Sequence, residues 1–362
     1  MMKQINVTQT FLPPIQEYTE LLSSAWGNKW ITNRGGLVLE LESKLKHLLN
    51  LDNLITTTNG TIPLQLAVKL LGNNGEIITT PFSYVATTSS IVWGNCTPVF
   101  VDIDPIYLTI DENKIEAAIT ERTSAILATH VFGNPCNVEA IEKIAQKHKI
   151  KVIYDAAHCF GVEFNGKSIF NYGDVSTCSF HATKIFHTGE GGAIISNDKD
   201  YMNQLFRYHN FGHEGYEKFK GVGINGKMSE LQAAMGLSVL PYMELIFKER
   251  KRIVDYYNKN LKIAKLNKIS IREGTDWNYS YYPIIFESEK ELIKILRKLN
   301  NQKIFPRRYF NPSLNTLDYI TNKVSMQISE DISKRIVCLP LYVGLEEKDL
   351  KNIVAIIKSE LC

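Results

Sequence analysis

"TSAILATHVFGNPCNVEAIEKIAQKHKIKVIYDAAH", residues 123–158, contains one complete unit of the pattern that decides the fold. An apolar, strand-like run is followed by a segment with apolar residues at helical spacing, and then by a second apolar run. Two strands joined through a helix predict a parallel βαβ unit. Because parallel sheets are buried on both faces, the sequence predicts an α/β fold with helices on both sides of the sheet.

The same alternation occurs upstream of this segment. "GEIITTP" is followed by "SSIVWGN", and "TPVFVDID" is followed by "DENKIEAAI". In open parallel sheets, ligands bind beyond the carboxyl ends of the strands. The polar residues that directly follow each apolar run are therefore candidates for a functional site.

Composition and charge restrict the class of protein. The chain has 362 residues, 44% of them hydrophobic, and a formal net charge of +3, without a basic stripe that would indicate a nucleic-acid partner. No segment approaches the roughly 20 apolar residues of a membrane span. The start, "MMKQINVTQT", has no apolar signal core. These features predict a cytoplasmic protein without a membrane partner.

The cysteines are widely spaced and form no CxxC pair. This pattern indicates free thiols rather than a disulfide framework or a metal site. The six residues are Cys96, Cys136, Cys159, Cys178, Cys338 and Cys362.

The segment "ITTTNGTIPLQLAVKLLG" predicts a strand, a short loop and a helix. Gly60 and Thr61 lie where the helix begins, and Pro63 lies in its first turn. Free N–H groups at a helix N-terminus bind phosphate, and the Thr61 hydroxyl adds a donor. The alternative is an ordinary capped helix without a ligand.

Asp155 directly follows the apolar run "KVIY" and precedes two alanines and His158. A carboxylate at this position faces the ligand crevice, and the small alanines leave room for a flat group. Asp155 is therefore a candidate to hold a protonated ring nitrogen. A structural aspartate that caps the following turn fits the same residues.

Lys184 lies in "SFHATKIFHTGEGG", a polar, glycine-rich loop between two strand-like runs. A lysine that attacks a carbonyl must be neutral, which requires a desolvated site, and the hydroxyls of Ser179 and Thr183 can bind an anion nearby. An amine, a carboxylate and a helix N-terminus are together what pyridoxal phosphate requires. The sequence therefore predicts this cofactor.

The three segments around Gly60, Asp155 and Lys184 and two further motifs, "PFSYVAT" and "NGKMSELQAAMGL", occur along the chain in the order "NGT", "PFSYVAT", "IYDAAHCFG", "SFHATK", "GEGGAIISND" and "NGKMSELQAAMGL". In this order the chain resembles the DegT/DnrJ/EryC1/StrS family of pyridoxal-phosphate-dependent sugar aminotransferases. The resemblance covers nearly the whole chain. It implies aminotransferase fold type I: a large domain with a mostly parallel central sheet flanked by helices, and a smaller C-terminal α+β domain.

The resemblance also implies roles for individual residues. Lys184 forms the Schiff base and moves the proton, and Asp155 pairs with the pyridine nitrogen. The other implied cofactor contacts are the stacking residue Tyr84, His158 beside the ring hydroxyl, the phosphate ligands Gly60, Thr61 and Ser179, and Asn225 from the partner of a homodimer with shared active sites. Core packing for Tyr84, a structural role for His158 and a simple turn at Asn225 remain alternatives.

The segments at residues 210–237 and 304–320 resemble family members that aminate carbon 4 of dTDP-4-keto-6-deoxyglucose. This implies glutamate as amino donor and a role in surface polysaccharide synthesis, such as that of O-antigen. The candidate substrate contacts are Thr32, Asn33, Lys220, Arg307 and Arg308. For the three cations, ordinary surface charge is the alternative.

Other functions remain open at this point. Within the family, these are amination at carbon 3 and elimination or dehydration chemistry, although sugar dehydratases carry histidine at the position of Lys184. Outside it, a binding or regulatory scaffold and a hydride-transfer protein are alternatives. The latter requires GxGxxG after a first strand, whereas the glycines at positions 189–192 lead into a strand.

The last third of the chain predicts the smaller domain. We expect a helix over residues 237–261, a strand over 278–286, a helix that begins after Ser288, and a final amphipathic helix over 346–360. The predicted division is a large domain over residues 1–240 and a small domain over residues 241–362.

Overall fold

The computed structural model describes residues 4–361. The first residues of the sequence start considered above and the thiol predicted at Cys362 lie outside the described residues. The strands are β1 (Ile5–Asn6), β2 (Ile55–Thr57), β3 (Glu76–Thr79), β4 (Thr97–Phe100), β5 (Thr123–Thr129), β6 (Lys151–Asp155), β7 (Glu163–Phe164), β8 (Lys167–Ser168), β9 (Val175–Ser179), β10 (Gly192–Ile195), β11 (Leu266–Lys268), β12 (Thr275–Asp276), β13 (Tyr282–Phe286), β14 (Ile304–Phe305) and β15 (Ile336–Leu339).

The helices alternate with the strands in the first half of the chain and cluster later. They are α1 (Ile15–Asn28), α2 (Gly36–Leu48), α3 (Thr61–Leu71), α4 (Val85–Trp93), α5 (Glu112–Ile115), α6 (Val138–His148), α7 (Lys199–Tyr208), α8 (Glu230–Val239), α9 (Met243–Asn260), α10 (Glu289–Asn301), α11 (Gln327–Arg335) and α12 (Glu347–Leu361).

The central sheet has seven strands in the order β2-β10-β9-β6-β5-β3-β4. β10 runs antiparallel to both of its neighbours, and β3, β4, β5, β6 and β9 are parallel. Successive residues of β5 face opposite sides of the sheet. Ile126 joins the core that contains α2, α6 and α8, and Leu127 joins the core that contains α3 and α7. The predicted α/β fold with a mostly parallel sheet is confirmed.

A second, smaller sheet forms in the C-terminal part from β11, β13 and β15. It packs with α9, α10 and α12 around a core of its own, which includes the predicted apolar stripe of the last helix. β1, at the start of the chain, pairs with β14 and contributes Ile5 to this core. The pairing of β1 with β14 shows that the first strand packs with the C-terminal part. The division into two domains at residue 240 stays a prediction.

Two C-terminal elements differ from the sequence-based expectation. The helix expected over residues 237–261 is interrupted by a 3₁₀ turn at Leu240–Tyr242, because Pro241 has no N–H to continue the helical pattern. The strand expected over residues 278–286 begins only at Tyr282. Residues before it form a loop that reaches the cavity described below.

Three polar residues lie at the carboxyl edge of the sheet. Thr129, Asp155 and Ser179 are the last residues of β5, β6 and β9. Thr129 and Asp155 are direct partners in the strand register. Neighbouring parallel strands therefore present these side chains at one edge. Within residues 4–361, no helix combines the length and apolar character needed to cross a membrane.

Candidate active site

A cavity of about 570 Å³ opens at the carboxyl edge of the central sheet. Nine of the residues predicted from the sequence line it, although they are spread over about 250 positions of the chain. They are Gly60, Thr61, Tyr84, Asp155, His158, Ser179, Thr183, Lys184 and Arg307. Their separate motifs thus converge on one space.

Asp155 is buried, and both of its carboxylate oxygens are hydrogen-bonded. Oδ2 accepts a bond of 2.6 Å from the hydroxyl of Thr87, and Oδ1 accepts one of 3.2 Å from the N–H of Ala157. Burial raises the pKa of Asp155, while the Thr87 bond opposes that shift. A cation beside it, such as a protonated ring nitrogen, would stabilise the ionised carboxylate further.

Lys184 follows a tight turn after β9 in which its N–H donates to the carbonyl of His181. Its half-buried side chain extends over the ring of Tyr281, with Nζ 5.9 Å from the ring centroid. Desolvation lowers the pKa of Lys184 to about 8. A larger fraction of this amine is therefore neutral near pH 7 than of an exposed lysine, as a nucleophile requires.

The predicted phosphate end lies where α3 begins. Gly60 packs against Ser179 so closely that a Cβ on Gly60 would lie 2.6 Å from the Ser179 side chain. The N–H groups of Thr61 and Ile62 both donate to Oδ1 of Asn59. Glycine permits this close approach of the helix N-terminus to the end of β9. Because the Asn59 side chain already caps these two N–H groups, the Thr61 and Ser179 hydroxyls at the cavity wall are the further donors for a phosphate.

His158 is buried between aromatic rings at the cavity wall. Its Nδ1 accepts the N–H of Phe132 at 3.1 Å, so the proton of the neutral ring resides on Nε2. Burial lowers the pKa of His158 well below its usual value. His158 therefore presents one N–H donor, which suits the ring oxygen of a cofactor better than a cationic role.

Tyr84 precedes α4 as its N-terminal capping residue and makes no side-chain cap bond. Its side chain is 53% exposed although it lines the cavity. This exposure argues against the core-packing alternative for Tyr84, since a core tyrosine would be covered. Its ring is available to cover a flat ligand.

Sequence reasoning missed the cavity wall that comes from the C-terminal part. Tyr281, Tyr309 and Phe310 line the cavity there, and the rings of Tyr281 and Tyr309 lie 5.3 Å apart. Arg307 stacks its guanidinium over Tyr309 at 4.7 Å. The aromatic run before β13 was the available signal, but the same pattern is typical of an ordinary core strand.

The first turn of α8 was also missed as a part of the site. The Gln232 side chain lines the cavity and donates to the carbonyls of Thr58 and Glu190. The buried Glu230 carboxylate accepts the N–H groups of Leu37 and Val38 at the start of α2. This turn therefore joins three segments of the chain beside the cavity.

Four predicted substrate contacts, and the predicted cofactor contact Asn225, lie outside this cavity. Thr32 and Asn33 are exposed before α2, Lys220 lies 3.9 Å from the Glu214 carboxylate, and Asn225 is exposed in a bridge with Asn210. Arg308 points the other way and donates to Glu289 and to the carbonyl of Lys334. The structure does not bring these five residues together with Lys184 in one chain.

The five described cysteines are free and buried, and Cys159 and Cys178 lie in the core of the large sheet. Burial raises the pKa of Cys178 to about 12, so its thiol stays protonated. The cysteines thus contribute packing, whereas the Lys184 amine is the candidate nucleophile of the cavity.

The residues present fit pyridoxal phosphate. The cavity holds an amine with a lowered pKa, a buried carboxylate, a neutral histidine donor and a glycine-lined helix N-terminus. These match the aldehyde, ring nitrogen, ring hydroxyl and phosphate of that cofactor, respectively. When bound, the cofactor supplies an electron sink for the electrons of a broken C–H bond.

Comparison with known proteins identifies the family of the chain. The model of the DegT/DnrJ/EryC1/StrS aminotransferase family matches residues 15–358. A dTDP-4-amino-4,6-dideoxy-D-glucose transaminase of Shigella dysenteriae is 43% identical, over 99% of this chain and all of the relative. The transaminase of that name from Escherichia coli is 39% identical over 99% of both chains.

Structural comparison supports the same conclusion. The solved structure of DesI in the presence of its TDP-sugar product superposes with a TM-score of 0.94 at 27% identity, covering 99% of this chain and 93% of DesI. The fold, the cavity and the full-length match agree. The chain therefore belongs to the DegT/DnrJ/EryC1/StrS aminotransferase family, whose members are pyridoxal-phosphate-dependent sugar aminotransferases.

Proposed function

We propose that this aminotransferase transfers the amino group of glutamate to carbon 4 of dTDP-4-keto-6-deoxyglucose. The product is dTDP-4-amino-4,6-dideoxyglucose, a building block for surface polysaccharide such as O-antigen. The observation that carries the proposal is the 43% identity, across the whole chain, to a transaminase named for that product. The cavity chemistry supports the transamination itself.

Lys184 is the proton carrier in this proposal. Its Nζ removes the proton from the α-carbon of the donor in the first half-reaction and delivers a proton to carbon 4 of the sugar in the second. The pKa of about 8 lets the amine accept and release protons near neutral pH. One residue in one site thus moves the proton in both half-reactions.

The remaining cavity residues hold and orient the cofactor. Asp155 binds the protonated ring nitrogen, and His158 donates its Nε2–H to the ring oxygen. Tyr84 covers the ring face. Gly60, Thr61 and Ser179 bind the phosphate through the N-terminal turn of α3 and the end of β9.

We also propose that two copies of the chain form a homodimer with shared active sites. Large apolar side chains are exposed on several segments of the chain, including Trp30, Trp93 and Phe219. A dimer interface would cover such side chains. Asn225, Thr32, Asn33 and Lys220 lie on or beside these segments, and we place them in the site of the second copy.

Arg307 is the best-placed cation for the pyrophosphate of the nucleotide sugar. It lines the cavity and, within residues 4–361, makes no ion pair, so its guanidinium is available to an anion. Arginine binds phosphate oxygens through two parallel hydrogen bonds. The division into domains at residue 240 and the cytoplasmic location remain predictions.

Spectroscopy of the purified holoenzyme tests the proposal directly. Glutamate should bleach the visible band of the lysine-bound cofactor, and dTDP-4-keto-6-deoxyglucose should restore it with formation of the 4-amino sugar. The control is the 3-keto isomer at the same concentration. Restoration by the 3-keto isomer alone would contradict the assignment to carbon 4, and no bleaching by glutamate would contradict the donor.

A further inference from the structure

A chain of three buried hydroxyl groups leads from the cavity wall to Asp155. Thr129 Oγ1 donates to Ser83 Oγ at 3.0 Å, Ser83 Oγ and Thr87 Oγ1 are 2.7 Å apart, and Thr87 Oγ1 donates to Asp155 Oδ2 at 2.6 Å. The three side chains are at most 4% exposed. No established role accounts for this arrangement.

The three residues come from different elements. Ser83 lies in the loop after β3, Thr87 lies in the first turn of α4, and Thr129 ends β5. Ser83 and Thr129 line the cavity, whereas Thr87 lies behind them. Ser83 and Thr87 are four positions apart, but Thr129 is 46 positions from Ser83 and Asp155 is 68 positions from Thr87, so neighbouring sequence alone does not account for the chain.

These hydroxyls are not used for local backbone capping. Threonine in a helix commonly bonds to the carbonyl four residues earlier, but Thr87 donates to a carboxylate 68 positions away. α4 begins without a side-chain cap bond, so Ser83 does not cap it. The hydrogen bonds are directed at one another and at Asp155.

A hydroxyl donates only one hydrogen bond, so the bond from Thr87 to Asp155 sets the donor and acceptor of every other bond in the chain of hydroxyls. Once Thr87 donates to the carboxylate, Ser83 must donate to Thr87, and Thr129 donates to Ser83. Each donation polarises the next hydroxyl and strengthens its bond. The chain therefore acts on the negatively charged form of Asp155 and stabilises it.

We propose that Ser83, Thr87 and Thr129 are positioning residues that keep the Asp155 carboxylate ionised and oriented toward the ring nitrogen of the cofactor. This inference rests on the proposed role of Asp155. It adds that the carboxylate needs a hydroxyl chain behind it, because Asp155 is buried and, among the described residues, its carboxylate has one other hydrogen bond, from Ala157 N–H.

The test compares Thr87→Val with Thr88→Val. Valine is close to threonine in shape and lacks the hydroxyl. Thr88 is the matched control because it is equally buried in α4 and its hydroxyl has no hydrogen-bond partner within the described part of the chain. Thr87→Ser restores the hydroxyl without the methyl group.

Two probes are used: pyridoxal phosphate and its analogue in which C–H replaces the ring nitrogen. Equilibrium dialysis should show that Thr87→Val binds pyridoxal phosphate about 10-fold to 100-fold more weakly, as for the loss of a hydrogen bond to a charged group. Binding of the analogue should be unchanged, since it offers Asp155 no cationic nitrogen. Thr88→Val and Thr87→Ser should bind both probes like the wild type.

Equal weakening of both probes by Thr87→Val would overturn the inference, because it would indicate general damage to the site. Wild-type affinity for pyridoxal phosphate in Thr87→Val would also overturn it. If Thr87→Val does not fold, Ser83→Ala and Thr129→Val provide the test, with a smaller loss at Thr129 than at Ser83. A wild type that binds both probes equally would instead contradict the role of Asp155 itself.

Discussion

The cavity floor and the outer segments of this molecule differ in how far a single chain supplies the interaction partners of their side chains. The cavity floor consists of Asp155, His158 and Lys184, which are enclosed and have their partners within one chain. The outer segments, residues 29–34 and 211–225, carry exposed side chains such as Trp30 and the fully exposed Tyr216. A single chain therefore supplies the partners of the cavity floor, whereas the outer segments are the surface that the proposed second copy would cover.

Loss of the Lys184 amine should have the largest effect and tests whether the floor alone carries the chemistry. Lys184→Ala should fold, bind the cofactor without a covalent link and lose roughly 10⁴-fold or more in single-turnover rate, because no other group moves the proton. Lys44→Ala, an exposed lysine on α2, is the control and should retain wild-type rate. Substantial transaminase activity in Lys184→Ala would refute the assignment.

Neutralising Asp155 should have the next largest effect. Asp155→Asn preserves shape but removes the charge opposite the ring nitrogen, so the glutamate half-reaction should slow about 10²-fold to 10³-fold. Rapid-mixing absorbance measures that rate. Asp198→Asn is the matched control, since Asp198 caps α7 away from the cavity and asparagine caps equally well. A wild-type rate in Asp155→Asn would contradict the pairing.

Arg307 lines the cavity and tests whether this chain also supplies a substrate contact. Arg307→Ala should raise KM for the nucleotide sugar about 10-fold to 100-fold through loss of charge-assisted bonds to pyrophosphate. The glutamate half-reaction should be unchanged. Arg297→Ala, an exposed arginine on α10, serves as the control. Equal slowing of both half-reactions in Arg307→Ala would argue against a substrate contact.

The outer segments can be tested by mixing an inactive subunit with one of reduced activity. Asn225→Ala should lose about 10-fold in activity, the loss of one hydrogen bond to an anion. When Lys184→Ala and Asn225→Ala chains are refolded together, each mixed dimer has one intact site, so about a quarter of wild-type activity should return with random pairing. Recovery no greater than the mean of the separate variants would contradict shared sites.

The smallest expected effect is the change with pH in the rate at which the cofactor attaches to Lys184, and it concerns the cavity floor alone. Because burial lowers the pKa of Lys184 to about 8, the neutral amine becomes more abundant as pH rises and predominates above that value. The attachment rate to cofactor-free protein should rise about 10-fold from pH 7 and level off above pH 8. A rise that continues to pH 10 would indicate an ordinary, exposed lysine.

The difference between the two regions also explains what the sequence predicted well. Asp155 and Ser179 were found because they end apolar runs, and parallel strands align their carboxyl ends. The same rule applies to Thr129, which ends β5, but a hydroxyl at a strand end is too common to stand out. Its role depended on the distance to Ser83, which no local pattern encodes.

By itself, the sequence determined the α/β class, the mostly parallel sheet, the cofactor and the residues of the cavity floor, because strand periodicity and motif order are local properties of the chain. Only the tertiary structure decided that Tyr281, Tyr309 and Gln232 complete the cavity wall and that Arg308 points away from it. Those placements follow from the packing of segments far apart in sequence, where small differences in backbone direction decide which side chain faces the cavity.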